Sequence, residues 1–218
     1  ENGKILGHYK KILLPTYDVF DEDRYFKSGN KTSTFELKIS NESKRVGLQI
    51  CEDLWDQNYS IDLAESIKDA NADMIINISA SPFGDDRLIE RSNLIQEKVQ
   101  KTGLPFIYCN LVGAQDELIF DGQSLVYDHE GSLIAKGKAF NEDLMIVDFD
   151  ESSKIKLNSL DREESIYQAL SLGVKDYFSK TGHSQAVIGL SGGIDSSLTA
   201  CIAVEALGKE NVHGISMP

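Results

Sequence analysis

Two stretches of this chain hold residues able to do chemistry. The first is Leu190-Ser-Gly-Gly-Ile-Asp-Ser-Ser197, where an apolar run beginning at Ala186 gives way to two glycines and then to a hydroxyl-rich helix start. Gly192 and Gly193 let a backbone approach an anion closely and take turn geometries that other residues resist. The first N–H groups of the helix lack intrahelical acceptors and sit at the positive end of its dipole. Gly189, Leu190, Ser191, Gly192, Gly193, Ile194, Asp195, Ser196 and Ser197 are therefore read as a phosphate-binding loop. Asp195 would repel phosphate by itself, and a Mg²⁺ ion between the two is the natural repair. The loop has no lysine, so it is not the GxxxxGK[ST] type. The plainer alternative is a strand-to-helix turn that needs glycine. The second stretch is Cys51-Glu-Asp-Leu-Trp55, directly after the apolar run Val46-Gly-Leu-Gln-Ile50. A cysteine exposed at a strand exit is a nucleophile if a base or positive charge lies beside it. Without such company it is a small buried apolar residue, the reading kept here for Cys109 and Cys201.

The elements that must position these residues follow from periodicity. Residues 46–50 and 74–78 read as buried strands, and 106–109 as a third. Residues 61–70 and 87–102 carry helical spacing, the latter with Leu88, Arg91, Ile95 and Val99 on one face and with Gly103 and Pro105 as stop signals. Residues 124–127 and 132–136 flank a hairpin loop at Asp128-His-Glu-Gly131, residues 144–149 read as a last strand, and Lys4–Lys10 as a strand leaving an Asn2-Gly3 turn. A polar stretch follows. Asp161 with Glu164 then resembles a capping box for a helix carrying Ile166, Leu170, Val174 and Tyr177. Residues 186–190, the loop, a helix to Leu207 and a strand from Val212 to Met217 make one βαβ unit. Strand–helix alternation followed by hairpins predicts an α/β chain with a mixed sheet. The division expected is residues 1–150, a linker at 151–160, and a second domain from 161 to 218.

Composition narrows the function classes. The 218 residues are 41% hydrophobic and 26% charged, enough for a sizeable core. A net charge of −13 argues against holding nucleic acid or an anionic membrane by bulk electrostatics. Three widely spaced cysteines without a CxxC pair argue against a disulfide framework or zinc site and for a reducing cytoplasm. No apolar run approaches the roughly 18 residues of a membrane helix. The chain starts at Glu1 and stops at Pro218, just after a strand, and is read as an internal piece of a longer protein.

Ser191-Gly-Gly-Ile-Asp-Ser196 resembles the SGGxDS loop of the ATP-pyrophosphatase family, which cleaves ATP between the α and β phosphates. Tyr9-Lys-Lys-Ile-Leu-Leu-Pro15 and the Cys51-Glu-Asp block resemble the nitrilase superfamily, whose catalytic trio is Glu, Lys and Cys. In the superfamily's Y-x-K-x-x-L-P pattern the lysine is Lys11, with Lys10 the neighbour it could be confused with. Residues 14–22, Arg24-Tyr-Phe26, Ser79-Ala-Ser-Pro-Phe83, Gly113-Ala-Gln-Asp-Glu117 and Phe120-Asp-Gly-Gln-Ser124 look like glutaminase domains of NAD⁺ synthetases, with Tyr17-Asp18 standing where Tyr-Gly is expected.

The resemblance implies a nitrilase-type αββα sandwich followed by the start of a doubly wound parallel-sheet ATP-pyrophosphatase domain, of the adenine nucleotide alpha hydrolase-like kind. It implies Cys51 as nucleophile, Lys11 as oxyanion stabiliser and Glu22 as a supporting acid. The general-base Glu would lie upstream of the present residues. Glutamine would be met by Glu52 at its α-ammonium and by Ser79 or Ser81 at its polar head, with Tyr17 and Trp55 as walls; for each of the two aromatics, core packing is an equal alternative. ATP with Mg²⁺ at Asp195, deamido-NAD⁺ as acceptor and a homo-oligomer complete the expectation. A free-standing amidase would leave Ser191–Ser197 unexplained, and a non-catalytic nucleotide module would leave Cys51 and Lys11 idle.

Overall fold

The computed structural model describes residues 3–39 and 42–216. Asn2 of the expected first turn, and Met217 and Pro218 at the far end, lie outside the described residues.

One six-stranded mixed sheet organises the first part. Its strands are β1 (Thr34–Ile39), β2 (Glu42–Ile50), β3 (Met74–Ser79), β4 (Phe106–Asn110), β7 (Leu125–Tyr127) and β8 (Leu133–Lys136), in the spatial order β1-β2-β3-β4-β7-β8. β2, β3 and β4 run parallel to one another, and the outer pairings are antiparallel. Parallel neighbours need crossovers, and the two here are helical: α1 (Leu63–Asp69) between β2 and β3, and α2 (Arg87–Thr102) between β3 and β4. Between β4 and β7 a separate two-stranded hairpin forms from β5 (Val112–Gln115) and β6 (Leu118–Asp121).

Alternation along β3 sets the layering. Ile75 and Asn77 are fully buried beneath the helices, whereas Ile78 on the other face is 55% exposed. Ile67, Ile75, Ile95, Val99, Phe106 and Leu125 form the shared core of sheet and helices. The described residues thus supply one sheet and one helical layer of the expected sandwich.

The second part begins with α3 (Arg162–Thr181). It continues as β9 (Ala186–Leu190), α4 (Ile194–Leu207) and β10 (Val212–Ser216), with β9 and β10 parallel. α3 packs on α4 and also on β5. No helix among the described residues is long and apolar enough to cross a membrane.

Four local readings need correction. No strand forms over residues 4–10 or 144–149. The latter segment does alternate, with Leu144 and Ile146 exposed and Met145 and Val147 half-buried, but no strand among the described residues pairs with it. The capping box at Asp161 also does not form. Asp161 holds the N-cap position without a side-chain bond, and Glu164 instead accepts from Gln168 Nε2 at 2.5 Å. The first crossover helix is shorter than its periodicity, starting at Leu63 because the Asp62 carboxylate caps the Glu65 N–H at 3.0 Å.

Arg91 was expected on the buried stripe of α2 and is the largest fully buried side chain of the described residues. Its charge is met by Asp121 at 2.9 Å, Nη2 donates to the Ser81 and Pro82 carbonyls at 2.8 and 3.0 Å, and Nε donates to Ser81 Oγ at 3.3 Å. Removing one partner of such a pair leaves the other charge uncompensated. Asp121→Ala should therefore cost about 3–5 kcal/mol of stability. Urea unfolding followed through Trp55, the one tryptophan of the chain, checks it; a cost under about 1 kcal/mol, typical of an exposed pair, would contradict the reading.

Candidate active site

Cys51 sits where β2 ends, at the carboxyl edge of three parallel strands, where open α/β sheets place ligands. Its φ is +47°, the left-handed region that non-glycine residues avoid, and it opens the short 3₁₀ helix Cys51–Leu54. Strain of that kind costs on the order of 1–3 kcal/mol and persists only where surroundings enforce it.

Asp53 does the enforcing. Fully buried, it accepts from the Ile50 N–H at 2.9 Å and so closes the turn around Cys51. It also accepts from the N–H groups of Ile12 at 3.1 Å and Leu13 at 2.9 Å, and from the Tyr9 hydroxyl at 2.6 Å. The loop that carries Lys11 is thereby pinned to the turn that carries Cys51. Sequence reasoning gave Asp53 no role.

Lys11 points its ammonium at both oxygens of Glu22, at 2.7 and 2.6 Å, and its side chain is 13% exposed. Lys11, Glu22 and Cys51 line one cavity of about 550 Å³, together with Phe20, Ile78, Ala80, Gln115, Leu118 and Phe120. Lys10 also borders this space, but Lys11 is the lysine seated on Glu22. Burial pushes the Cys51 thiol above its ordinary value, against a smaller downward pull from the Lys11 charge and a backbone hydrogen bond at Ala80. The resting sulfur is thus a thiol that needs a base before it can attack.

Beside Cys51, the buried Glu52 carboxylate accepts from Tyr17 Oη at 2.8 Å and Tyr59 Oη at 3.3 Å. Burial raises the Glu52 carboxyl, with the two phenols pulling it back. The structure therefore brings Cys51, Lys11 and Glu22 together, with Glu52 and Tyr17 as an adjoining pair. The other three predicted residues sit apart from this cavity. Trp55 packs on the core with the Arg87 guanidinium 5.1 Å from its ring centroid. Ser79 donates to Asn77 at 2.6 Å and lines the separate cavity on the open sheet face. Ser81 is buried in the Arg91 network. The cavity wall at Leu118 was not found from sequence, although the neighbouring Phe120-Asp-Gly-Gln-Ser124 block was noticed; its hairpin strands are too short for periodicity to stand out.

The Leu190–Ser197 segment takes the strand, glycine turn and helix start read from its sequence. β9 ends at Leu190, Gly192 takes φ +80°, and Gly193 is the N-cap of α4 with no side chain capping it. Ser196 and Ser197 hydroxyls donate to the Gly193 carbonyl at 3.1 and 2.9 Å, and Ser191 Oγ lies 3.3 Å from Ser196 Oγ. Ser191, Gly192, Gly193 and Asp195 are exposed, so the helix start faces solvent.

Comparison with known proteins finds relatives for both parts of the chain. Residues 1–156 match the carbon-nitrogen hydrolase family and residues 166–218 match NAD synthase. The glutamine-dependent NAD(+) synthetase of Synechocystis sp. is 46% identical over 232 aligned residues, covering 100% of this chain and 41% of that protein. That of Thermotoga maritima is 39% identical, covering 100% of this chain and 43% of its own length. This chain thus spans about two fifths of the length of these curated relatives. Among solved structures, the glutamine-dependent NAD⁺ synthetase from Acinetobacter baumannii in complex with ADP matches with TM-score 0.89 and 36% identity, covering 100% of this chain and 41% of that one. A carbon-nitrogen hydrolase from Helicobacter pylori matches 63% of this chain and 49% of its own length, with TM-score 0.53 and 26% identity. With its matched segment covering residues 1–156, well over half of the 218, the chain belongs to the carbon-nitrogen hydrolase family.

Proposed function

We propose that this chain is part of a glutamine-hydrolysing NAD⁺ synthetase. The observation that carries the reading is the presence, on one chain, of a cavity holding Cys51, Lys11 and Glu22 and of an open Ser191–Ser197 loop at a helix start. The first site liberates ammonia and the second activates its acceptor. The names borne by the relatives support the same division. Residues 1–150 form the glutaminase, 151–160 a linker, and 161–218 the start of the synthetase domain.

In the first site a carboxylate takes the Cys51 proton and the sulfur attacks the amide carbon of glutamine. Lys11 Nζ, oriented by Glu22, stabilises the oxyanion. Ammonia leaves, and water releases glutamate from the thioester. Glu52, held by Tyr17 and Tyr59, meets the glutamine α-ammonium.

In the second site ATP lies against Gly189, Leu190, Ser191, Gly192, Gly193, Ile194, Asp195, Ser196 and Ser197. The nicotinate carboxylate of deamido-NAD⁺ attacks the α-phosphorus, pyrophosphate leaves, and ammonia then displaces AMP to give NAD⁺. The free N–H groups at the start of α4 hold phosphate oxygens. The donor set suits Mg²⁺ bound together with nucleotide: Asp195 offers one exposed carboxylate, and Mg²⁺ ordinarily combines one or two carboxylates with phosphate and water oxygens. Among the described residues no cluster of three or more His, Cys, Asp or Glu could hold a metal alone. When bound, the ion offsets charge between Asp195 and the phosphates and on the departing pyrophosphate. The enzyme acts on small molecules in the cytoplasm, as a homo-oligomer, without nucleic acid or membrane.

In the full-length protein, Cys51→Ala should lower glutamine-driven synthesis by more than about a thousandfold while leaving ammonia-driven synthesis intact. Steady-state rates with each nitrogen donor check this, and equal loss of both would refute the division. Asp195→Asn should lower synthesis from either donor by about a hundredfold or more, because adenylation precedes ammonia attack. A Mg²⁺ titration that matches wild type in rate and midpoint would reduce Asp195 to a helix-start residue.

A further inference from the structure

Among the described residues the hairpin of β5 and β6 pairs with no other strand, and it forms one wall of the Cys51 cavity. Leu118 and Phe120, two apart on β6, and Gln115, paired with Leu118, face that cavity. Ile119 lies between them and points the opposite way, onto α3, so closely that a Cβ added at Gly173 would stand 3.3 Å from Ile119 Cδ1.

Opposite Ile119 in the hairpin is Ala114. Its N–H donates to Asp176 Oδ2 at 2.7 Å, and its carbonyl accepts from Lys180 Nζ. Asp176 and Lys180 stand four residues apart on α3 and also bond each other at 2.9 Å. A side-chain pair thus takes both main-chain groups of one residue, as a neighbouring strand would. Gly113 leaves room for it: its φ is +142°, and a Cβ there would meet Asp176 Oδ2 at 3.0 Å. The hairpin is tied onward to the Ser79–Phe83 loop by the Phe83 N–H, which donates to the Ile119 carbonyl at 2.7 Å. The hairpin therefore stands between the cavity and a helix of the second part of the chain.

We propose that Asp176 and Lys180 are positioning residues for amide hydrolysis at Cys51, acting from α3 through Ala114 to set the Gln115–Leu118–Phe120 wall. The inference rests on the reading of Cys51 as the amide-cleaving nucleophile. Neither residue lines the cavity, so both act on the wall's placement and not on the chemistry. Among the described residues the hairpin has no third strand, and two strands alone are marginal in water, so the Asp176–Lys180 pair adds to what holds it. A wall displaced by a fraction of an ångström loosens substrate placement more than it alters the sulfur or the lysine.

The test uses the full-length protein carrying Asp176→Ala, Asp176→Asn, Lys180→Met or Cys51→Ala, assayed with glutamine and separately with ammonia. For Asp176→Ala and Lys180→Met, KM for glutamine should rise about tenfold, with a smaller fall in kcat and unchanged ammonia-driven synthesis. Asp176→Asn, which keeps an acceptor for the Ala114 N–H, should recover most of that loss. Wild-type glutamine kinetics in Asp176→Ala would overturn the proposal. So would an equal loss of ammonia-driven synthesis, which would make Asp176 a general stability residue. Undiminished glutamine-driven turnover in Cys51→Ala would instead remove the reading beneath the proposal, and the proposal with it.

Discussion

The Asp53 carboxylate is the point on which the candidate glutaminase site depends. It has no exposed surface, and four donors converge on it: the Tyr9 hydroxyl and the N–H groups of Ile12, Leu13 and Ile50. Hydrogen bonds to a charged acceptor contribute about 1.5–3 kcal/mol each. Together they offset both the desolvation of the carboxylate and the left-handed turn at Cys51. Burial, and after it the Asp53 charge, push the Tyr9 phenol far above its ordinary range, so it remains a donor. One side chain in this way fixes the Lys11 loop and the Cys51 turn in a common frame, and Lys11 can then face Glu22 and the sulfur across one cavity.

A second buried charge organises the layer behind. Arg91 bridges α2, the Ser81–Pro82 carbonyls and Asp121 at the end of β6. Asn110 joins the same network, accepting from the Ser81 N–H at 2.9 Å and donating to the Gly122 carbonyl at 3.1 Å. The hairpin wall is consequently held at one end by this network and on its outer side by α3. Both anchors are polar and directional, which suits a two-stranded element with little core of its own.

What was legible in the sequence follows the range of the interactions involved. β2, β3, α2, the β7–β8 hairpin and the β9–α4–β10 unit announce themselves through local periodicity, glycines and turn residues. Cys51 stands out because a strand ends immediately before it, and the resemblance of its block and of Tyr9–Pro15 to the nitrilase superfamily sets it above Cys109 and Cys201. Lys11 and Glu22 were reached by resemblance, and the structure brings them together across 11 residues of chain. Asp53 was not legible: its partners Ile12 and Leu13 lie 41 and 40 residues away, and a backbone N–H leaves no mark on sequence. The alternation at residues 144–149 misled for the opposite reason. It reports which side chains face an apolar surface, whereas a strand also needs a neighbour to bond. Asp161 shows the same limit at a helix start, since the right residue stands at the right position without making the bond.

The central claim is that Cys51, among the three cysteines, is the sulfur that forms a covalent bond with the amide substrate. The most direct measurement treats the full-length protein with a glutamine analogue whose amide is replaced by an electrophilic diazoketone, then maps the adduct by peptide mass spectrometry. The account predicts a single adduct, on the peptide containing Cys51, suppressed by excess glutamine and accompanied by loss of glutamine-driven but not ammonia-driven synthesis. An adduct on Cys109 or Cys201, with Cys51 unmodified and glutamine-driven synthesis lost, would contradict it.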